Sequence, residues 1–191
     1  MNVAHAEARK FVSDYHCFLV RRFDRTADGR RLHSASAMTM TGHVDGDDAS
    51  TGVSSLELAK VLMRHGAQPN ADLHELWARI VFNLLVSNTD DHLRNHGFIL
   101  EPAAGWRLSA AYDMNPVADG LKLNITETDN ALNLELAREV CEYFRLSLKD
   151  ADEIIDDFRG VVGQWRTLAT RLALSAREQE HMADAFRLAG A

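Results

Sequence analysis

The stretch Ser87–Leu100, SNTDDHLRNHGFIL, puts two adjacent acids, two histidines, an arginine and two asparagines directly ahead of Phe98-Ile99-Leu100. Polar density of this kind is a poor way to build a core and a good way to build a site. Upstream, apolar residues recur at Leu73, Leu76, Trp77, Ile80, Val81, Leu84 and Leu85, a helical period that stops at Ser87-Asn88. Downstream, Phe98-Ile99-Leu100 and Trp106-Arg107-Leu108 flank Glu101-Pro102-Ala103-Ala104-Gly105, which predicts a hairpin around a Pro/Gly turn. Ala111-Tyr112-Asp113-Met114-Asn115-Pro116 follows. A buried helix therefore delivers Asp90 and Asn95, five positions apart, and a hairpin returns the chain at Asp113.

Asp, Asn and then Asp, with a hairpin between the last two, is the layout of a protein-kinase catalytic centre. The chemistry explains the residue types. Phosphoryl transfer needs a carboxylate to orient the attacking hydroxyl and accept its proton, and Mg²⁺ to neutralise charge on the phosphates. Mg²⁺ takes hard oxygen ligands, which a carboxylate and an amide carbonyl provide. The expected roles are Asp90 as catalytic base, with Asn95 and Asp113 as metal ligands. His92 and Arg94 lie between base and amide, where they reach phosphate or brace the loop.

NTDDHLRNHGFIL followed by WRLSAAYDMNP resembles the HipA-type serine/threonine kinases, the toxin halves of bacterial toxin–antitoxin pairs. In that family an N-T-D-x-H-x-x-N loop carries the catalytic Asp and a metal-binding Asn, and a Y-D motif carries the metal-binding Asp. The resemblance maps these roles onto Asp90, Asn95 and Asp113. It extends to FLVRRFDR, residues 18–25, which is similar to the strand leading into the family's hinge. It continues through HSASAMTM and the C-terminal helices. The nucleotide-contacting set it implies is Arg21, Phe23, His92, Arg94, Asn95, Tyr112 and Asp113, with ATP and Mg²⁺ as cofactors. It also implies a protein substrate, translation machinery among the family's targets, and a helix-turn-helix antitoxin as partner. The family's longer N-terminal part holds a glycine-rich phosphate loop and a strand lysine. These 191 residues hold no G-x-G-x-x-G and no V-A-I-K-like strand. The expectation is a single domain over 1–191: a mainly α, kinase-like helical C-lobe with small β-hairpins, lacking most of the N-lobe. Residues 1–33 are its hinge strand and hairpin, and 54–191 its helical lobe. A separate chain supplying the N-lobe is a further partner to expect, because without a lid over the phosphates binding is weak and transfer slow.

The remaining sequence fits that outline. Tyr15 to Phe23 suits a strand, and Asp28-Gly29 ahead of Arg31-Leu32-His33 signals a hairpin. Residues 34–53 read as loop. Ser54-x-x-Glu57 is a capping box for a helix that Gly66 can end. A loop runs on from Pro116 to about residue 128. Helices are expected near 131–145, 148–171 and 176–188, the second broken near Gly160 or Gly163. A net charge of −7 argues against a general nucleic-acid binder. Lone Cys17 and Cys141 suit a reducing, cytoplasmic setting. No apolar run reaches the ~20 residues that span a bilayer.

Blander readings accompany each feature. Asp90-Asp91 alone would be a solvated turn; the spacing to Asn95 and Tyr112-Asp113 outweighs that. His96 reads as a surface or strand-start residue, Asn88 and Thr89 as turn formers, and Tyr112 as packing behind the metal loop. His43-x-Asp45-x-Asp47-Asp48 lacks the EF-hand order and reads as a solvated loop. Asp24 and Arg25 suggest an ion pair, and Trp77 and Trp165 core positions. Two rival functions stand beside the kinase: a non-catalytic module that binds an antitoxin or partner, and a metal-dependent hydrolase using the same carboxylates.

Overall fold

The computed structural model describes residues 1–10, 15–116 and 121–190. Its strands are β1 Ala6–Lys10, β2 His16–Val20, β3 Ser34–Ser36, β4 Gly97–Glu101 and β5 Gly105–Leu108. Its helices are α1 Ala37–Thr41, α2 Ser55–His65, α3 Pro69–Leu85, α4 Leu134–Glu139, α5 Leu148–Val162, α6 Trp165–Arg171 and α7 Ala176–Met182. About half of the chain is helical, with small antiparallel sheets.

The organising element is α3. Pro69 sits at its first turn, where a missing N–H does no harm. Leu73, Leu76, Trp77, Val81, Leu84 and Leu85 are all fully buried or nearly so. Each such side chain contributes about 1.5–3 kcal/mol on leaving water. Trp77 also donates its indole N–H to the Ala137 carbonyl at 2.9 Å, which satisfies its polar atom and fixes α4 against α3. α2 packs beside α3 and starts at the expected capping box, with Ser54 and Glu57 bonding each other's backbone.

The β4–β5 hairpin forms with Phe98 opposite Leu108 and Ile99 opposite Arg107. Two devices lock it to the helices. Buried Asp72 takes Arg107 through two bonds of 2.8 and 3.0 Å, and also accepts the Leu108 N–H at 3.2 Å. Gly105 turns at φ +126°, and a Cβ there would lie 2.6 Å from the His65 carbonyl oxygen. Only glycine lets the turn close on the end of α2.

Several expectations are corrected. Residues 34–53 are not simply loop. β3 pairs with β4, α1 follows under a Ser36 cap, and Ala49–Thr51 form a 3-10 turn capped by Asp48. Short polar elements of this kind carry no periodicity to read. The strand expected to reach Phe23 ends at Val20, and its partner is β1 rather than Arg31-Leu32-His33. Asp24 causes the break: it gathers Arg22 and Arg25 at 2.6 Å each, bending the chain away from the sheet. Asp28-Gly29 does turn the chain back on itself, with an antiparallel bridge between Arg25 and Arg31 and backbone bonds from Thr26 to Arg30 and from Leu32 to Asp24, but the returning run pairs with residues 24–26 and not with β2.

The helix expected over 131–145 is α4 followed by a 3-10 turn at Cys141–Phe144, and 148–171 breaks at Gly163 into α5 and α6. α7 continues as 3-10 turns over Ala183–Ala189. Trp77 is core, but Trp165 is only half-buried, stacked on Phe186 at 4.4 Å with Arg166 over its ring. Residues 117–120 of the loop expected from Pro116 to about 128 lie outside the described residues. Among the described residues, no helix is long and apolar enough to cross a membrane.

Candidate active site

α3 ends at Leu85, and Ser87 turns the chain with φ +50°. The polar stretch then runs as a loop to a 3-10 turn at Leu93–Asn95 and straight into β4. Leu93, fully buried, pins that turn to the core while Asp90 stays exposed on the surface. After β5 the chain passes Ala111, which bridges to Val3, and reaches Asp113 at φ +57°. A non-glycine residue in the left-handed region carries strain that neighbouring contacts must hold, and such residues gather at functional sites.

Three hydrogen bonds join the expected site residues. The Asn95 side-chain amide donates to the Asp90 carbonyl at 3.2 Å. The Asn88 amide donates to the Asp113 carbonyl at 3.3 Å. The Tyr112 hydroxyl donates to the Arg94 carbonyl at 2.6 Å. These bonds tie Asn95 to Asp90, Asn88 to Asp113 and Tyr112 to Arg94, and they reach the two acids through backbone carbonyls. Among the described residues, neither the Asp90 nor the Asp113 carboxylate has a hydrogen-bond or ion-pair partner, and both residues are exposed.

The flanking residues have different surroundings. Phe23 stacks on Tyr112 with ring centroids 5.2 Å apart. Its ring also lies where Gly97 leaves space, 2.8 Å from an ideal Cβ there. Burial pushes the Tyr112 hydroxyl up to about 12, so it stays a donor at neutral pH. Arg21 is exposed and its backbone N–H bonds the His5 carbonyl at 2.8 Å, extending the β1–β2 pairing rather than facing outward. Arg94 is exposed and pairs with Asp45 at 2.5 Å. His92 was expected either to reach phosphate or to brace the loop through backbone; its Nδ1 is buried with no partner among the described residues.

Two corrections concern histidines and acids near the site. Of the two readings of His96, surface or strand start, the second holds: it directly precedes β4, is 3% exposed, and its Nε2 lies 3.0 Å from Asp91. The loop His43–Asp48 is bonded rather than freely solvated. His43 bridges Asp47 at 3.1 Å and Glu57 at 2.9 Å, Asp45 holds Arg94, and Asp48 caps the 3-10 turn.

Sequence reasoning missed Arg79 and Asn83. Arg79 is 1% exposed, paired with Glu75 at 3.0 Å and donating to the Ser109 carbonyl at 2.6 Å. It ties α3 to the segment that leads into Tyr112-Asp113. The available signal was position: Arg79 and Asn83 fall three residues after Leu76 and Ile80, on the apolar face of α3.

The donor set suits Mg²⁺. Asn95 uses its N–H group on Asp90, which leaves the amide oxygen as its free acceptor, and Asp113 offers an unpaired carboxylate. Among the described residues no three His, Cys, Asp or Glu side chains gather as a metal cluster. One carboxylate and one amide oxygen form a small, hard set of the kind that leaves Mg²⁺ room for water and phosphate oxygens.

Comparison with known proteins agrees with this architecture. The model of the HipA-like C-terminal domain matches residues 1–186. A Haemophilus influenzae protein described as "Putative kinase" is 30% identical over 106 residues, covering 53% of this chain and 31% of that protein. The solved HipA of a Shewanella oneidensis MR-1 toxin–antitoxin system, in complex with HipB and its operator DNA, superposes with a TM-score of 0.75 at 20% identity. That match covers 99% of this chain and 50% of the solved one, so the chain spans about half the length of its structural relative. The chain belongs to the HipA-like C-terminal domain family.

Proposed function

We propose that this chain is the kinase-like catalytic lobe of a HipA-family serine/threonine protein kinase. The observation that carries the proposal is the pair of exposed Asp90 and Asp113 carboxylates, without hydrogen-bond or ion-pair partners among the described residues, beside the Asn95 and Asn88 amides that bond the backbones of these acids. Asp90 orients the attacking hydroxyl of a protein serine or threonine and accepts its proton. Asn95 and Asp113 would hold Mg²⁺, which would supply charge neutralisation for the phosphates of ATP. Phe23, stacked on Tyr112, gives an apolar surface beside the loop against which a nucleotide base packs. Arg94, His92 and Arg21 are the remaining contacts in this reading.

The neighbour's complex with HipB supports an antitoxin partner, and translation machinery is the substrate class the family likeness suggests. A second reading is a binding module that engages an antitoxin without turnover, as the neighbour's complex with HipB suggests. The test is binding of Mg²⁺-nucleotide to the wild type and to Asp113→Asn. Loss in the variant with the fold intact supports the kinase reading. Equal binding removes the metal role of Asp113.

A further inference from the structure

Beneath the exposed acids lies a second layer of polar groups that the proposed chemistry does not use. Asp91 accepts from the Asn83 amide at 2.8 Å and lies 3.0 Å from His96 Nε2. Asn83 in turn accepts from the Asn88 amide at 3.1 Å, and Asn88 also donates to the Asp113 carbonyl at 3.3 Å. Asn83, Asn88 and His96 are 4%, 1% and 3% exposed. The run is continuous: His96, Asp91, Asn83, Asn88, then the backbone of Asp113.

Its direction is set by one group. A carboxylate only accepts, so Asn83 must turn its N–H₂ to Asp91 and its oxygen to Asn88. Asn88 must then present N–H₂, the only group able to hold the Asp113 carbonyl. The placement is also telling. Asp91 follows Asp90, His96 follows Asn95, and the far end grips Asp113 itself. Except for the Asn83–Asn88 bond in its middle, each contact of the run is at, or one peptide bond from, a residue of the proposed site.

We infer that the buried run His96–Asp91–Asn83–Asn88 is a positioning device that sets Asp90, Asn95 and Asp113 relative to one another, with Asp91 fixing its polarity. This rests on the functional reading above for what is positioned. The run itself stands on the geometry. Asn83 anchors it to the last turn of α3, so the rigid helix supports a site built on loops. Asp113 keeps its left-handed backbone because its carbonyl is held from behind.

The test uses the whole chain and two readouts, backbone amide NMR spectra and binding of Mn²⁺ as a probe for Mg²⁺. Asn83→Asp faces one carboxylate with another and removes the donor to Asp91. It is expected to shift signals in both 90–96 and 112–114, and to weaken Mn²⁺ binding about tenfold or more. Adding Asp91→Asn exchanges donor and acceptor at those two positions and regenerates the run. The double variant should recover the wild-type spectrum and affinity, which a residue needed only for packing would not do. If Asn83→Asp does not fold, Asn88→Asp must shift 112–114 and weaken Mn²⁺ binding in the same way. Signals at 112–114 that stay in place in the variants, or a double variant no better than Asn83→Asp, overturn the inference. Wild type that takes up no Mn²⁺ refutes the metal site of the functional reading; the run is then upheld or overturned by the spectra.

Discussion

The Tyr112 hydroxyl donates to the Arg94 carbonyl at 2.6 Å, joining the residue before Asp113 to the residue before Asn95. The same ring stacks on Phe23, so one side chain ties the segment after β2, the 3-10 turn and the return from the hairpin. Tyr112→Phe keeps the stack and removes the bond. It should lower stability by about 1 kcal/mol, the usual net worth of such a bond. Phe23→Ala removes the stack and should lower stability further. Urea unfolding of the two variants checks the order, and a Tyr112→Phe variant as stable as wild type would discount the bond.

Gly97 is where β4 passes under that ring. A Cβ would lie 2.8 Å from the Phe23 ring and 2.9 Å from Ser109 Oγ. Gly97→Ala should destabilise by about 1–3 kcal/mol through overpacking. It should also displace Phe23, seen as a change in the Tyr112 environment by near-ultraviolet circular dichroism. An unchanged spectrum would mean that the ring is not held there.

His43 gives stability a neutral-range pH dependence. Its bond to Glu57 outweighs the lowering effect of burial and, with a lesser contribution from the bond to Asp47, raises its pKa above the ordinary imidazole value. A group with a raised folded pKa stabilises fully below its unfolded value, near 6.5, and loses that contribution as pH rises through the folded value. The melting temperature should therefore fall as pH rises above the ordinary histidine range, and His43→Gln should flatten that part of the profile. Equal slopes in both proteins would discount the bridge.

Asp24 acts at the acid end. Its bonds to Arg22, opposed by partial burial, leave its pKa lowered to about 2. The sign is opposite to that of His43. The contribution is present above the ordinary carboxylate value, near 4, and is lost as pH falls through about 2. Asp24→Asn should be less stable than wild type at neutral pH, and the gap should close in that acid window. A gap that persists at the lowest pH would assign the loss to packing instead.

What the sequence could reveal follows from what leaves a pattern. α3 was legible because seven apolar residues from Leu73 to Leu85 keep one helical period over buried ground. The hairpin was legible from its Pro/Gly turn, and the start of α2 from the Ser54–Glu57 box, which is a strictly local device. α1 and β3 were not, since a five-residue helix and a three-residue strand are held by pairing with β4 and packing beside α2 rather than by their own propensities. The pairing of β2 with β1 hid behind Asp24, whose ion pairs divert a run that reads as one strand to Phe23. For the site, residue types and spacing singled out Asp90, Asn95 and Asp113 as candidates. Asn83 was passed over, Asp91 was read only with Asp90 as a turn and His96 only as a surface or strand-start residue, because their significance lies in burial and mutual bonding, which a linear pattern does not carry.

Calorimetry tests whether Asp113 and its neighbours bind Mg²⁺-nucleotide for phosphoryl transfer. The chain is titrated with Mg²⁺ and a non-hydrolysable ATP analogue, alone and with a polypeptide that supplies a glycine-rich kinase lobe. Wild type, Asp90→Asn and Asp113→Asn are compared. The expected result is Mg²⁺-dependent binding that tightens with the added lobe, survives Asp90→Asn and is lost in Asp113→Asn. Binding that ignores Asp113, or no binding by wild type in either setting, would contradict it and leave a HipA-like lobe whose carboxylates serve no nucleotide.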